Sequence, residues 1–260
     1  MNRTVLITTV LLSTTRVFAL DFMGPTTSRL KASGQSSAAI EYFWSNMEIE
    51  ADGIPELGLV SDTIEDVKFN KVSANLALGM GRGSEIFFRF GVADADPDRR
   101  DNRDNIAGYI GGSDEDLLLG GGVKWTLYER TNFGWGLLVQ TSWTDYDFDE
   151  KSYLVNGYDV TLSTDVEVFE TQIATGPTVA LREDVIVYGG PFLHFIRGDA
   201  ELKGTIDGIP YEGSPDLEEE SLLGAYIGIQ IELRKNAYFS AEFQTTDDSY
   251  GAGCHLVWRF

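Results

Sequence analysis

From residue 37 onward, apolar and polar positions alternate at period 2 in segment after segment. Such alternation marks strands whose two faces meet different surroundings. The last segment is the clearest. Tyr250, Ala252, Cys254, Leu256, Trp258 and Phe260 fall on one face, with Gly251, Gly253, His255, Val257 and Arg259 on the other. The stretch 223–234 alternates as strictly: Leu223, Ala225, Ile227, Ile229, Ile231 and Leu233 stand against Gly224, Tyr226, Gly228, Gln230, Glu232 and Arg234. Further strands are predicted near 37–50, 67–80, 85–92, 117–128, 133–143, 166–181, 185–197 and 237–244. In the first of these the apolar face shifts from Ala38, Ile40, Tyr42 and Trp44 to Met47 and Ile49, which predicts a bulge. Pro177 removes a ladder donor and predicts an irregularity in its strand.

The connections sort into two kinds. Short turns centre on Gly83, Thr131, Glu183 and Lys235, whereas long acidic stretches at 51–66, 94–116, 145–165 and 198–221 lie between them, and a short cap at 246–249 joins the last two strands. Within 145–165, Asn156-Gly157 is a hairpin dipeptide that lets the flanking strands continue past the wall. The pattern predicts an all-β chain forming a single antiparallel up-and-down transmembrane β-barrel of about ten strands, with eight or twelve compatible with the same signals. A soluble sandwich would also alternate, but it need not gather its short turns at one end. The closing strand, with its apolar row and C-terminal Phe, resembles the end of bacterial outer-membrane β-barrel proteins, and the mature chain resembles small porin-like and OmpA-like barrels. The resemblance implies that Trp258 and Phe260 belong to a membrane-insertion signal read by the barrel-insertion machinery. Short turns at one end put both termini in the periplasm.

The N-terminus fits export. Arg3 precedes an apolar run from Val5 to Leu12, and Val17-Phe18-Ala19 offers a signal-peptidase site before Leu20. That run falls short of the roughly 20 apolar residues a spanning helix needs. Residues 1–19 are therefore expected to be a signal peptide, 20–36 an extended periplasmic lead-in with little order, and 37–260 the barrel. No Cys follows Ala19 to anchor a lipid. The 260 residues suffice to close one barrel, and mean hydropathy is −0.12, as expected when lipid-facing and lumen-facing residues average out. A formal charge of −21 disfavours nucleic acid and anionic surfaces as partners, and no nucleic-acid partner is expected. The single Cys254 excludes an internal disulfide framework.

Candidate chemistry lies on the inward rows. A ten-stranded barrel is narrow, and inward glycines leave room for Tyr188, Phe192, Tyr226 and Tyr238. Glu85, Arg89, Lys124, Glu170, Glu232, Arg234, Glu242 and Arg259, with His194 and His255, are the lumen candidates. They would form a structural ion-pair network or line a small pore. No Ser or Asp stands in a catalytic relation to either His, so resemblance to ten-stranded outer-membrane proteases ends at strand count and no enzymatic activity is expected. Asp94, Asp96 and Asp98 open like a calcium loop but lack the later ligands, leaving a weak candidate for divalent binding toward lipopolysaccharide. No cofactor is expected. The reading is a monomeric barrel in outer-membrane lipid, with a polar, largely occluded lumen and acidic outer loops that serve a structural or surface-interaction role. Its alternative is a small cation-preferring porin.

Overall fold

Alternating residues need alternating surroundings, and the chain supplies them by rolling its strands into a ring. The computed structural model describes residues 20–28, 30, 32–51, 62–97, 113, 115–155, 158–213, 216–218, 222–247 and 249–260. The expected signal peptide at 1–19 lies outside the described residues, as do the Asn156-Gly157 dipeptide and Asp98. The strands are β1 (Ser36–Ala51), β2 (Asp62–Gly81), β3 (Ser84–Pro97), β4 (Asp116–Glu129), β5 (Phe133–Val155), β6 (Tyr158–Ala180), β7 (Val185–Ile206), β8 (Ile209–Gly213), β9 (Asp216–Glu218), β10 (Leu222–Arg234), β11 (Ala237–Thr245) and β12 (Ser249–Arg259). Ten of them, β1–β7 and β10–β12, form the wall: each pairs antiparallel with the next, β12 pairs with β1, and β10 pairs back to β7. The two short strands β8 and β9 add to β7 at the long-hairpin end. Closure leaves the wall without an edge, so its backbone donors and acceptors are satisfied within the ring.

The register puts the two residue classes where their chemistry requires. Ile40, Leu76, Phe88, Leu117 and Ile227 are exposed on the outer surface, while Phe43, Lys71, Arg89, Glu170 and Tyr226 are buried inside. The expected bulge in β1 is a register shift against β2 between Met47 and Ile49. At Pro177 the β6–β7 ladder is interrupted between Ala174 and Thr178. The β2–β3 turn places Arg82 and Gly83 both at positive φ, as a tight two-residue hairpin turn demands.

Each of the four stretches read as long loops contains strand, 62–66 in β2 and 94–97 in β3 included, and the last two are sheet over most of their length. β5, β6 and β7 run for 23, 23 and 22 residues, about twice the 9–11 that cross a bilayer. Residues 145–155, 158–165 and 198–206 thus continue the wall strands, and Asp207 and Gly208, both at positive φ, turn β7 into β8. Their acids fall on the outer face and alternate with apolar residues such as Tyr146, Val166 and Val168, which are buried on the inner face. On the outer face two carboxylate rows cross three strands, Asp145–Glu167–Asp199 and Asp147–Asp165–Glu201.

The N-terminal segment also departs from expectation. Instead of an extended periplasmic lead-in, every residue from Leu20 to Ser28 is buried inside the ring, and Leu30 with them. The segment has no periodicity because it belongs to no ladder. Its order comes from packing: Leu20, Phe22, Met23 and Leu30 form one cluster with Phe43, Phe87, Leu138, Tyr188, Phe192 and Tyr226 from the wall.

Inward glycines make this filling fit. A Cβ on Gly228 would strike the Tyr188 ring, and one on Gly136 would strike the Thr26 carbonyl. Gly228→Leu is expected to destabilise the barrel by about 1–3 kcal/mol, read as a lower thermal midpoint in detergent. Adding Tyr188→Ala should return part of that loss; equal midpoints for parent and Gly228→Leu would contradict the packing.

Candidate functional site

The inner rows of the wall bring Glu41 (β1), Lys71 (β2), Glu85 and Arg89 (β3), Lys124 (β4), Glu170 (β6) and Glu242 (β11) into the lumen, and the buried segment supplies the groups that join them. Lys71 Nζ lies 2.9 Å from Asp21 Oδ1 and 2.9 Å from Glu170 Oε1. Arg89 donates from Nε to Glu41 Oε2 at 2.7 Å and from Nη2 to the Phe22 carbonyl at 2.7 Å, and its Nη1 lies 3.3 Å from Asp21 Oδ2. Glu41 also accepts from Ser73 Oγ and Asn75 Nδ2, both at 3.1 Å. One chain of ion pairs therefore runs Glu170–Lys71–Asp21–Arg89–Glu41. All five side chains are almost wholly buried.

A second group holds the backbone of the segment. Glu242 accepts from the Met23 amide at 3.0 Å and the Gly24 amide at 2.8 Å, and Gln244 Nε2 donates to Glu242 at 2.7 Å and to the Asp21 carbonyl at 2.6 Å. Lys124 Nζ donates to the Met23 carbonyl at 2.8 Å. Closer to the short-turn end, the Ser28 amide donates to Thr126 Oγ1 at 3.0 Å, its hydroxyl to Glu85 at 3.2 Å, and Thr26 Oγ1 to the Gly176 carbonyl at 3.1 Å. These bonds satisfy backbone groups that no strand pairs, which burial would otherwise penalise.

The two histidines attend different carboxylates. His194 Nε2 is 3.6 Å from Glu170 Oε2, and His255 Nε2 is 3.5 Å from Glu41 Oε1 with its ring against Phe22. They lie at opposite ends of the ion-pair chain.

The predicted lumen residues thus divide. Glu85, Arg89, Lys124, Glu170, Glu242, His194 and His255 converge on the segment. Arg259 instead stacks over Tyr238 at 4.2 Å near the short-turn rim with Glu232 as its charged neighbour, and Arg234 is exposed. Trp258 and Phe260 face outward, both exposed. Sequence reasoning missed Asp21, Glu41 and Lys71 as site residues. Glu41 and Lys71 had a signal, each being a charge on the inner face of an alternating strand. Asp21 had none, because nothing local says its segment turns into the ring. Asp94 sits on the outer face accepting from Asn70 at 3.2 Å, Asp96 stands opposite Lys68, and among the described residues no group of three acids, His or Cys gathers to hold a metal.

Little space remains between segment and wall. A cavity of about 50 Å³ lies among Phe22, Glu41, Arg89, Lys124 and His255, room for a few waters at most. Lys71→Met would leave two buried carboxylates facing each other and is expected to cost about 3–5 kcal/mol. Chemical denaturation of the refolded protein would measure it. Adding Asp21→Asn and Glu170→Gln should restore most of the loss; no loss in the single variant would remove Lys71 from its linking role.

No protein-family model matches the chain, and no curated protein matches it in sequence. Solved structures do match in shape. The outer membrane protease OmpT from Escherichia coli aligns over 93% of this chain and 99% of its own, with a TM-score of 0.51 and 10% identity. The translocator domain of the autotransporter NalP from Neisseria meningitidis aligns over 89% and 90%, with a TM-score of 0.50 and 10% identity. At such identity the likeness speaks for architecture alone. With its closed antiparallel ring of ten strands, apolar outside and charged within, this chain has the fold of the bacterial outer-membrane β-barrels.

Proposed function

We propose that this protein is a monomeric outer-membrane barrel closed by its own N-terminal segment, serving as a rigid stand for an acidic surface sheet. The observation that carries the reading is the burial of Leu20 to Ser28 inside the ring, tied to the wall by the Asp21 and Glu242 contacts. A lumen filled to this extent leaves no water column for solute. The outer band of exposed Ile, Leu, Val and Phe suits lipid, and the short turns face the periplasm with both termini.

The work then falls to the other end. β5–β7 rise past the band and display the two three-carboxylate rows on their outer face. Acidic rows at headgroup level suit cationic groups and the divalent ions that bridge lipopolysaccharide. They repel nucleic acid. Activity as an enzyme is not part of the reading, since the lumen's buried acids and bases pair with one another and with the segment rather than with a group presented to substrate.

The test is conductance of the mature chain in planar bilayers. The expected result is a folded, heat-modifiable protein that shows no steady open state, and a deletion of residues 20–33 that conducts. The deletion counts only where it keeps the heat-dependent gel shift of a folded barrel. Steady, cation-selective steps from the intact chain would instead make it a small cation-preferring porin.

A further inference from the structure

The wall holds the buried segment as a receptor holds a peptide, largely through its main chain. The Asp21 carbonyl accepts from Gln244 Nε2 at 2.6 Å, the Phe22 carbonyl from Arg89 Nη2 at 2.7 Å and Gln140 Nε2 at 3.4 Å, and the Met23 carbonyl from Lys124 Nζ at 2.8 Å. The Met23 and Gly24 amides each donate to one oxygen of Glu242, at 3.0 and 2.8 Å. Strands β3, β4, β5 and β11 thus read the backbone of consecutive residues from Asp21 to Gly24. A backbone bond is indifferent to the side chain beside it, so affinity of this kind extends to other sequences and side-chain sockets restrict it. Three sockets do so here. Lys71 and Arg89 take the Asp21 carboxylate, and the His255 and Phe22 rings pack in a T shape with centroids 5.0 Å apart. Gly24, at φ +66°, passes where a Cβ would come within 3.2 Å of Lys124 Nζ.

The segment is also separable from the wall. It belongs to no ladder, and it joins β1 through residues 32–35, which are exposed at the short-turn end with open space beside Gly34. The wall does not need Asp21 to pair its own ions. Lys71 lies 2.9 Å from Glu170 and Arg89 2.7 Å from Glu41, so each cation keeps a wall carboxylate when the segment leaves. Glu242 keeps its bond from Gln244. Departure therefore strands none of these charges, which is what makes removal of a buried ionic partner costly elsewhere.

We propose that the lumen is a binding site for an extended polypeptide segment of another chain, and that residues 20–28 occupy this site in the resting protein. The ligand enters from the short-turn end and offers an acid, an aromatic residue, an apolar residue and glycine in that order. The tether holds the resident segment at an effective concentration of the order of millimolar, so a competing peptide displaces it at high concentration or by making contacts beyond these. The inference rests on the plugged-lumen reading and gives the plug a role, which is to keep a peptide site shut until a competitor arrives.

The experiment opens the tether in the folded protein. A protease recognition sequence is inserted between Gly34 and Gln35, and the mature chain is refolded and cleaved there. Cleaved barrel that keeps its heat-dependent gel shift is mixed with a fluorescent peptide of residues 20–33. Anisotropy is expected to show saturable uptake, with an equal amount of the resident fragment released and identified by mass. Asp21→Lys and Gly24→Leu peptides should bind at least about tenfold more weakly, and unlabelled parent peptide should displace the label. A cleaved barrel that keeps its fragment and takes up no peptide at any temperature below its melting midpoint would overturn the inference. So would equal binding of the parent and Asp21→Lys peptides, because recognition would then not run through Lys71 and Arg89. Steady conductance of the uncut chain would sink the plugged-lumen reading itself, whereas a silent uncut chain with no exchange after cleavage sinks this inference alone.

Discussion

Closure of the β-ladder is the constraint from which the rest follows. A spanning sheet cannot leave edge amides and carbonyls in hydrocarbon, so β7 must meet β10 as well as β6. Ten strands then set the diameter, and the diameter sets how much side-chain and main-chain volume the interior must hold. The glycines on the inner faces of β4, β5, β10 and β12 make sense only against that volume. Where Gly224 and Gly228 face inward, the Phe192 and Tyr188 rings occupy the space, and where Gly134 and Gly136 do, Thr26 and Thr27 pass.

A filled interior raises a second difficulty, which is charge. Five wall and segment side chains carry ions away from water, and each would be costly alone. They are tolerated as a chain from Glu170 to Glu41 in which Lys71 and Arg89 each touch two carboxylates. Such a network adds less to stability than its short distances suggest, because desolvation offsets attraction. What it supplies is specificity: only Asp21 at its present depth lets both cations keep both partners. The same logic explains Glu242, whose two backbone bonds set Met23 and Gly24 at a definite depth in the ring.

The two ends of the molecule are built on different terms. The short-turn end is closed by the incoming segment, with Ser33 against Gly81 and the Gly79 amide bonded to the Gln35 carbonyl. At the other end β5, β6 and β7 continue as a sheet whose outer face places like charges directly opposite one another. Cross-strand repulsion of that kind works against pairing. Lys203, paired with Glu201 on the same strand, offsets part of it.

Legibility differed by element for a physical reason. β10 and β12 were plain in the sequence because one face meets an apolar surrounding and the other a polar one, which writes a period of 2 into the residues. The outer halves of β5–β7 alternate too, with Tyr146, Val166, Val168, Ala200 and Leu202 against the acids, but their dense charge and the hairpin dipeptide Asn156-Gly157 give them the look of loops. Glu170, Arg89 and Glu242 were legible as inward charges, but their partners were not. By itself, then, the sequence determined the strand alternation, the arrangement of short and long connections, and which side chains turn inward, since these depend on neighbours one or two residues away. Only the tertiary structure decided that residues 20–30 fill the ring and that Asp21 meets Lys71 and Arg89. That decision depends on the volume and charge left inside a closed wall, quantities set by all ten strands together and written in no single stretch of the chain.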